Sequence, residues 1–285
     1  MSELSNEINA LLQLIDDPDE IIFQSVSDRF AQYGDHVVPM LMDQHEYAED
    51  PFKKNRLGLI IDNIAIRSLT DSLNEWKENE EKNFLDGSFI VNNLIQRESN
   101  KDQLFRELEK MRKSIWLELN EFLTPLEVIN IFNKIIFDHF KLTGTELNYL
   151  KAEPFSLGSL IQFKTGNSFP FSSLYLIMSE MLGLGLHPVD IHKQNLLCYV
   201  DDSSFLSLSN GNSILFFLDP SSGQVYTFRD IENYYKKIGH HAPVENITIA
   251  SSSDFIRKWL LEYAKTLPIG SWKQDQIRKI ANNQI

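Results

Sequence analysis

The chain is almost without cysteine. Cys198 stands alone among 285 residues, so no disulfide can form within it. Basic side chains are also scarce, 27 against 40 acidic ones, for a net charge of −13. A protein that grips nucleic acid needs a basic face to neutralise phosphates, and this balance argues against one. It argues equally against an anionic membrane surface as partner. Long apolar runs are missing too: none reaches the ~18 residues of a membrane span. The opening "MSELSNEINALLQ" lacks a basic start followed by an apolar core, so no signal peptide is expected. A cytoplasmic protein is the simplest expectation. No Cys, His and carboxylate cluster has metal-ligand spacing, so no metal and no cofactor are expected.

What is present is ordinary for a folded chain: 42% apolar and 24% charged residues, with no low-complexity tract. The length suits one large domain or two small ones. Apolar residues at helical spacing predict helices over most of the first 119 positions. Ile8, Leu11, Leu12 and Ile15 mark the first. "DDPD" at 16–19 breaks the chain, and Ile21, Ile22, Val26 and Phe30 read as the stripe of a second, ended by Gly34. Val37, Val38, Leu41 and Met42 give a third. This helix-turn-helix unit resembles a HEAT-type hairpin, but a single copy makes no solenoid. Helices are also expected over 52–78, 85–95 and 104–119. Thr124-Pro125-Leu126-Glu127 is a capping-box start for another.

Beyond Lys141 the texture changes. An irregular loop and a short helix are expected, then a helix over 170–182. Strands are expected at 189–191, 196–200, 214–218 and 225–228, with "DPSSGQ" as the turn between the last two. A helix at "RDIENYYKKIG" and two more at 252–266 and 271–282 close the chain. The fold class is therefore α+β.

The order from 166 to 224 carries a resemblance. "GNSFPFSSLYLIMSEMLGLGLHPVDI" is a Gly-Asn turn, an apolar helix and a strand, and "ILFFLDPSSGQVY" is a strand ending in Asp-Pro. With "LIDDPDEIIFQSVSDRFAQYGDHVVPML" and "LNEFLTPLEVINIFNKIIF", they resemble the transglutaminase-like superfamily, most of all its SirB-type branch of bacterial proteins. That resemblance implies a helical N-terminal region over 1–120, a papain-like core of one central helix on a small antiparallel sheet over 121–245, and C-terminal helices over 246–285.

In active members of the superfamily a Cys heads the helix, a His follows on the next strand, and an Asp sits where the following strand meets Asp-Pro. Carried over by spacing, these positions fall on Ser168, Gln194 and Asp219, and only Asp219 matches. A thiolate at a helix start with an imidazole base and an orienting carboxylate is a working set. Glutamine cannot accept a proton near neutral pH. The resemblance thus implies a protein that acts by binding a protein or a small ligand, neither of them named, with Ser168, Gln194 and Asp219 gathered as a relic. The enzyme question leans to no, and no oligomeric state is assigned.

Two alternatives stay open. His192, two residues before Gln194, shares its strand face and could serve Ser168 and Asp219 in a weak serine-type hydrolase. Otherwise the old cleft is filled and the chain is a structural adaptor. Phe155, Phe163, Phe169 and Phe171 cluster in sequence around the old position, as core or as the wall of a residual pocket. The plainer readings are a capping or turn serine at 168, a turn aspartate at 219, loop histidines at 240 and 241, a small buried apolar residue at Cys198, and a solvated face at Glu78, Glu80 and Glu81.

Overall fold

The structure, a computed structural model, describes residues 2–79, 82–97, 99–192, 194–200, 214–240 and 247–283. Glu80, Glu81 and His241, read above as solvated or loop residues, lie outside these. Helices come first: α1 (Ser2–Gln13), α2 (Glu20–Tyr33), α3 (Val38–Tyr47), α4 (Pro51–Glu78), α5 (Phe84–Ile95), α6 (Lys101–Trp116) and α7 (Pro125–Asn133). The starts follow local chemistry. Asp19 accepts from Ile21 N at the head of α2, Asp50 from Phe52 N at the head of α4, and Thr124 with Glu127 closes the expected capping box on α7. Between residues 2 and 119, every regular element among the described residues is helical.

One stripe differs from the expectation. α2 buries Phe23, Val26 and Phe30, whereas Ile21 is 78% exposed and Ile22 also faces solvent. The i, i+3, i+7 series that meets the core begins at 23. Arg56 closes that end of the helix pair: it lies over the rings of Phe23 and Phe52, donates to Ile15 O at 3.2 Å and Asp17 O at 2.5 Å, and pairs with Glu20. A buried guanidinium is tolerated because its donors find carbonyls at the end of α1.

The apolar residues from Ile15 to Ile64 form one cluster, most of those from Ala65 onward form a second that reaches Ala281, and a smaller third draws on residues from Val189 to Ile247. α4 belongs to the first two and joins them. The second cluster surrounds α9 (Ser168–Leu182), which packs on α5, α6, α8 (Leu157–Phe163) and the sheet. The sheet is antiparallel, in the order β3 (Leu186–Ile191), β4 (Gln194–Val200), β5 (Ile214–Asp219) and β6 (Gln224–Tyr226). Alternation along it sets two faces. Leu186, Leu197, Tyr199, Phe216 and Leu218 meet the α9 side. Val189, Ile191, Leu196, Cys198, Val200 and Phe217 meet α10 (Phe228–Lys237), through Ile231 and Tyr235. α11 (Ser252–Ala264) and α12 (Trp272–Asn283) complete the second cluster.

Two further differences have local causes. Phe228, expected in the last strand, opens α10, because Thr227 and Asp230 form a capping box that ends the strand at Tyr226. Part of the irregular loop past Lys141 is ordered as a parallel pair, β1 (Thr143–Gly144) with β2 (Thr165–Gly166). Gly144 also lets the turn at Ser221 come close: a Cβ there would lie 2.1 Å from Ser221 O.

α9 was expected to bury one stripe through Leu174, Met178 and Met181. Leu174 and Met178 are fully buried, Met181 only half, and every residue from 169 to 179 is buried. The helix is enclosed on all sides until its last turn emerges. Leu174→Ala should therefore cost about 2–5 kcal/mol in urea unfolding, and a loss below about 1 kcal/mol would make α9 peripheral.

Candidate functional site

The head of α9 is built by Asn167. Its side chain accepts from Phe169 N at 2.9 Å, its own N–H donates to Pro154 O, and it is fully buried with Nδ2 unpartnered by protein. Asn167, not Ser168, is thus the helix cap, and Ser168 is the first residue of the helix. One turn further on, Ser172 is fully buried, and Asn195 Nδ2 donates to its Oγ at 3.0 Å. This is the polar contact between the helix and the second strand of the sheet.

Gln194 does not make it. Residues 194 and 195 point to opposite faces of β4. Asn195 lies on the face of Leu197 and Tyr199, toward α9. Gln194 lies with Leu196 and Cys198, toward α10. The helix-to-strand contact thus lies one residue along the strand from Gln194 and one helical turn on from Ser168. Among the described residues, no hydrogen bond joins the side chains of Ser168, Gln194 and Asp219.

Asp219 is engaged at its own turn. Its carboxylate accepts from Ser221 N at 2.9 Å, Ser221 Oγ at 2.7 Å and Ser222 Oγ at 2.8 Å. The turn is tied to the helix layer through Asn133, which donates to Gly223 O at 2.7 Å and accepts from Tyr175 Oη at 2.6 Å. Gly223 has φ +72, and a Cβ on it would lie 2.8 Å from the Asn133 side chain. Burial, and secondarily the charge on Asp219, push the Tyr175 hydroxyl well above its usual range.

His192 is held on the other side of the sheet. Its N–H donates to Tyr235 Oη, Tyr234 Oη donates to its carbonyl, and its ring lies 4.8 Å from that of His240. That places it with α10 rather than with Ser168. The phenylalanines divide as well. Phe155, Phe169 and Phe171 are buried, with Phe155 stacked on Phe169 and Phe171 on Phe137. Phe163 is 59% exposed. Three of the four are core and the fourth is surface, because α8 ends at Phe163 and turns that residue out. Among the described residues, no group of three or more His, Cys, Asp or Glu could hold a metal, and no helix is long and apolar enough to cross a membrane.

A family model described as the transglutaminase-like superfamily matches residues 102–261, more than half of the chain. The chain belongs to the transglutaminase-like superfamily. No curated protein and no solved structure matches it. The superfamily match begins inside α6 and ends inside α11. It takes in α9, the whole four-stranded sheet and the Ser172–Asn195 contact.

Sequence reasoning missed Ser172, Asn195 and the cap at Asn167. Strand alternation counted from the apolar pair Leu197 and Tyr199 would have selected Asn195, and the i+4 step from Ser168 leads to Ser172.

Cys198 faces away from this contact. Burial pushes its thiol from 9.0 to about 12. The folded protein keeps a proton that the unfolded chain releases, so stability holds below pH 9 and falls as pH rises toward 12. Cys198 should resist thiol reagents in the native protein near neutral pH and react fully after denaturation. Native reaction at the rate of a free thiol would contradict its burial.

Proposed function

We propose that this is a non-catalytic transglutaminase-like protein of the SirB-type branch that works by binding. The observation that carries this reading is the Ser172–Asn195 contact. Where helix and strand meet, a serine hydroxyl accepts a hydrogen bond from an amide. An amide holds no basic nitrogen, so it cannot take the serine proton as an imidazole would. The contact is suited to fixing α9 against β4.

The serine-hydrolase alternative finds less support. It needs His192 beside Ser168, and the His192 ring lies tilted against that of His240 toward α10, while the Asp219 carboxylate is occupied by Ser221 and Ser222. The burial of Phe155, Phe169 and Phe171 favours a filled cleft around the head of α9. Binding then belongs to other surfaces. Of the three regions proposed, 1–120 with its HEAT-like hairpin offers a protein-contact surface, 121–245 is the core, and 246–285 the helical tail. The acidic charge and the single cysteine suit a cytoplasmic setting.

A fluorophosphonate and iodoacetamide should leave Ser168 and Ser172 unlabelled in the native protein, read by intact-mass spectrometry. Stoichiometric labelling of Ser168 that disappears in His192→Ala would overturn the reading in favour of a serine hydrolase.

A further inference from the structure

Beyond the Ser172–Asn195 contact lies a cleft of about 470 Å³, between the β3–β4 hairpin, residues 248–250 and α11. Its size falls in the range of small-molecule sites. Phe255 and Leu261 give it an apolar surface, and Asn195 and Asp190 enter it from the strands. α11 contributes Asp254, Lys258 and Glu262, spaced i, i+4 and i+8 on one face.

The polar groups are unevenly committed. Asp254 caps α11 through Ser251 and pairs with Arg257. Glu262 accepts from Tyr149 Oη at 2.6 Å and pairs with Lys265. Asn195 has given its amide hydrogen to Ser172 and keeps its Oδ1 as an acceptor. Lys258 Nζ donates one hydrogen to Gln194 O at 2.8 Å and keeps two. Among the described residues, the Asp190 carboxylate forms no hydrogen bond or ion pair, and Lys258 has no carboxylate within ion-pair distance. Burial nevertheless lowers the Lys258 ammonium, against the pull of Asp190 and Glu262. A cation and an anion thus share one cleft without touching, over an apolar surface. The part-buried Lys258 ammonium is costly to leave without a counter-charge, and a ligand carboxylate would supply one, while the exposed Asp190 carboxylate stands free on the strand side for an ammonium.

We propose that this cleft binds a free α-amino acid with an apolar side chain, its carboxylate on Lys258, its ammonium on Asp190 and Asn195 Oδ1, and its side chain against Phe255 and Leu261. The proposal deepens the binding reading and rests on it, since the ligand is held and not turned over.

Isothermal titration of the full chain tests it with four probes: phenylalanine, leucine, N-acetyl-phenylalanine, which lacks the ammonium, and phenylalanine amide, which lacks the carboxylate. Phenylalanine and leucine should bind. Each blocked derivative should bind roughly tenfold more weakly or worse, the loss expected for one charged hydrogen bond. Lys258→Met and the near-isosteric Asp190→Asn should each weaken phenylalanine binding by a similar factor. Asp190 is exposed, so Asp190→Asn should keep the wild-type melting temperature even if Lys258→Met does not fold. Failure of both amino acids to bind at millimolar concentration would overturn the proposal. Equal binding of the blocked derivatives, or wild-type affinity in Asp190→Asn, would overturn it too. Loss of binding with the serines still unlabelled removes this site and leaves the non-catalytic reading standing. Binding together with Ser168 labelling removes that reading instead.

Discussion

Everything near the site depends on the enclosure of α9. A helix buried on all sides cannot leave its polar atoms to water, so each must find a partner inside. Ser172 takes Asn195 from β4, and Ser173 donates to Ser88 of α5 at 2.6 Å. Tyr175 takes Asn133 at the end of α7. Ser179 donates to Leu184 O and accepts from Leu186 N at the start of β3. These bonds point in different directions around the axis. Together they fix the rotation of the helix, and that rotation decides which residue meets the strand.

Much of the scaffold was legible because its signals are local. Caps and turns such as Thr124 with Glu127, and the Asp219 turn, depend on a few neighbouring residues and held their places. Strand positions were also near, since apolar clustering marks them. Errors arose where tertiary contact overrides the pattern. The stripe of α2 begins at Phe23 because Arg56 and the first cluster select that face. β1 and β2 pair over two residues each, too short for any periodicity to register.

The site was less legible for a geometric reason. A one-residue slip along a strand moves a side chain to the other face of the sheet. Counting by spacing selected Gln194, on the α10 side, when Asn195 faces the helix. Lys258 escaped notice because a charge every fourth residue on a helix looks like a solvated face; only the strands brought against α11 turn that row into the wall of a cleft. The bond between helix and strand joins a different pair, Ser172 and Asn195, from the one that spacing picked out.

The fold therefore keeps the helix-on-sheet frame of its superfamily with a hydroxyl–amide bond at the meeting point. The central claim is that no proton acceptor serves this point. A thiol placed there reports on it directly. In a Cys198→Ala background, Ser172→Cys carries a single thiol whose ionisation can be followed by thiolate ultraviolet absorbance across pH. The account predicts a pKa at or above that of a free cysteine, about 8.5, because the position is buried and its neighbour is an amide. A thiol that ionises in the roughly 3.5–7.5 range of activated cysteines would contradict it, since only a nearby base or positive charge could hold the thiolate there.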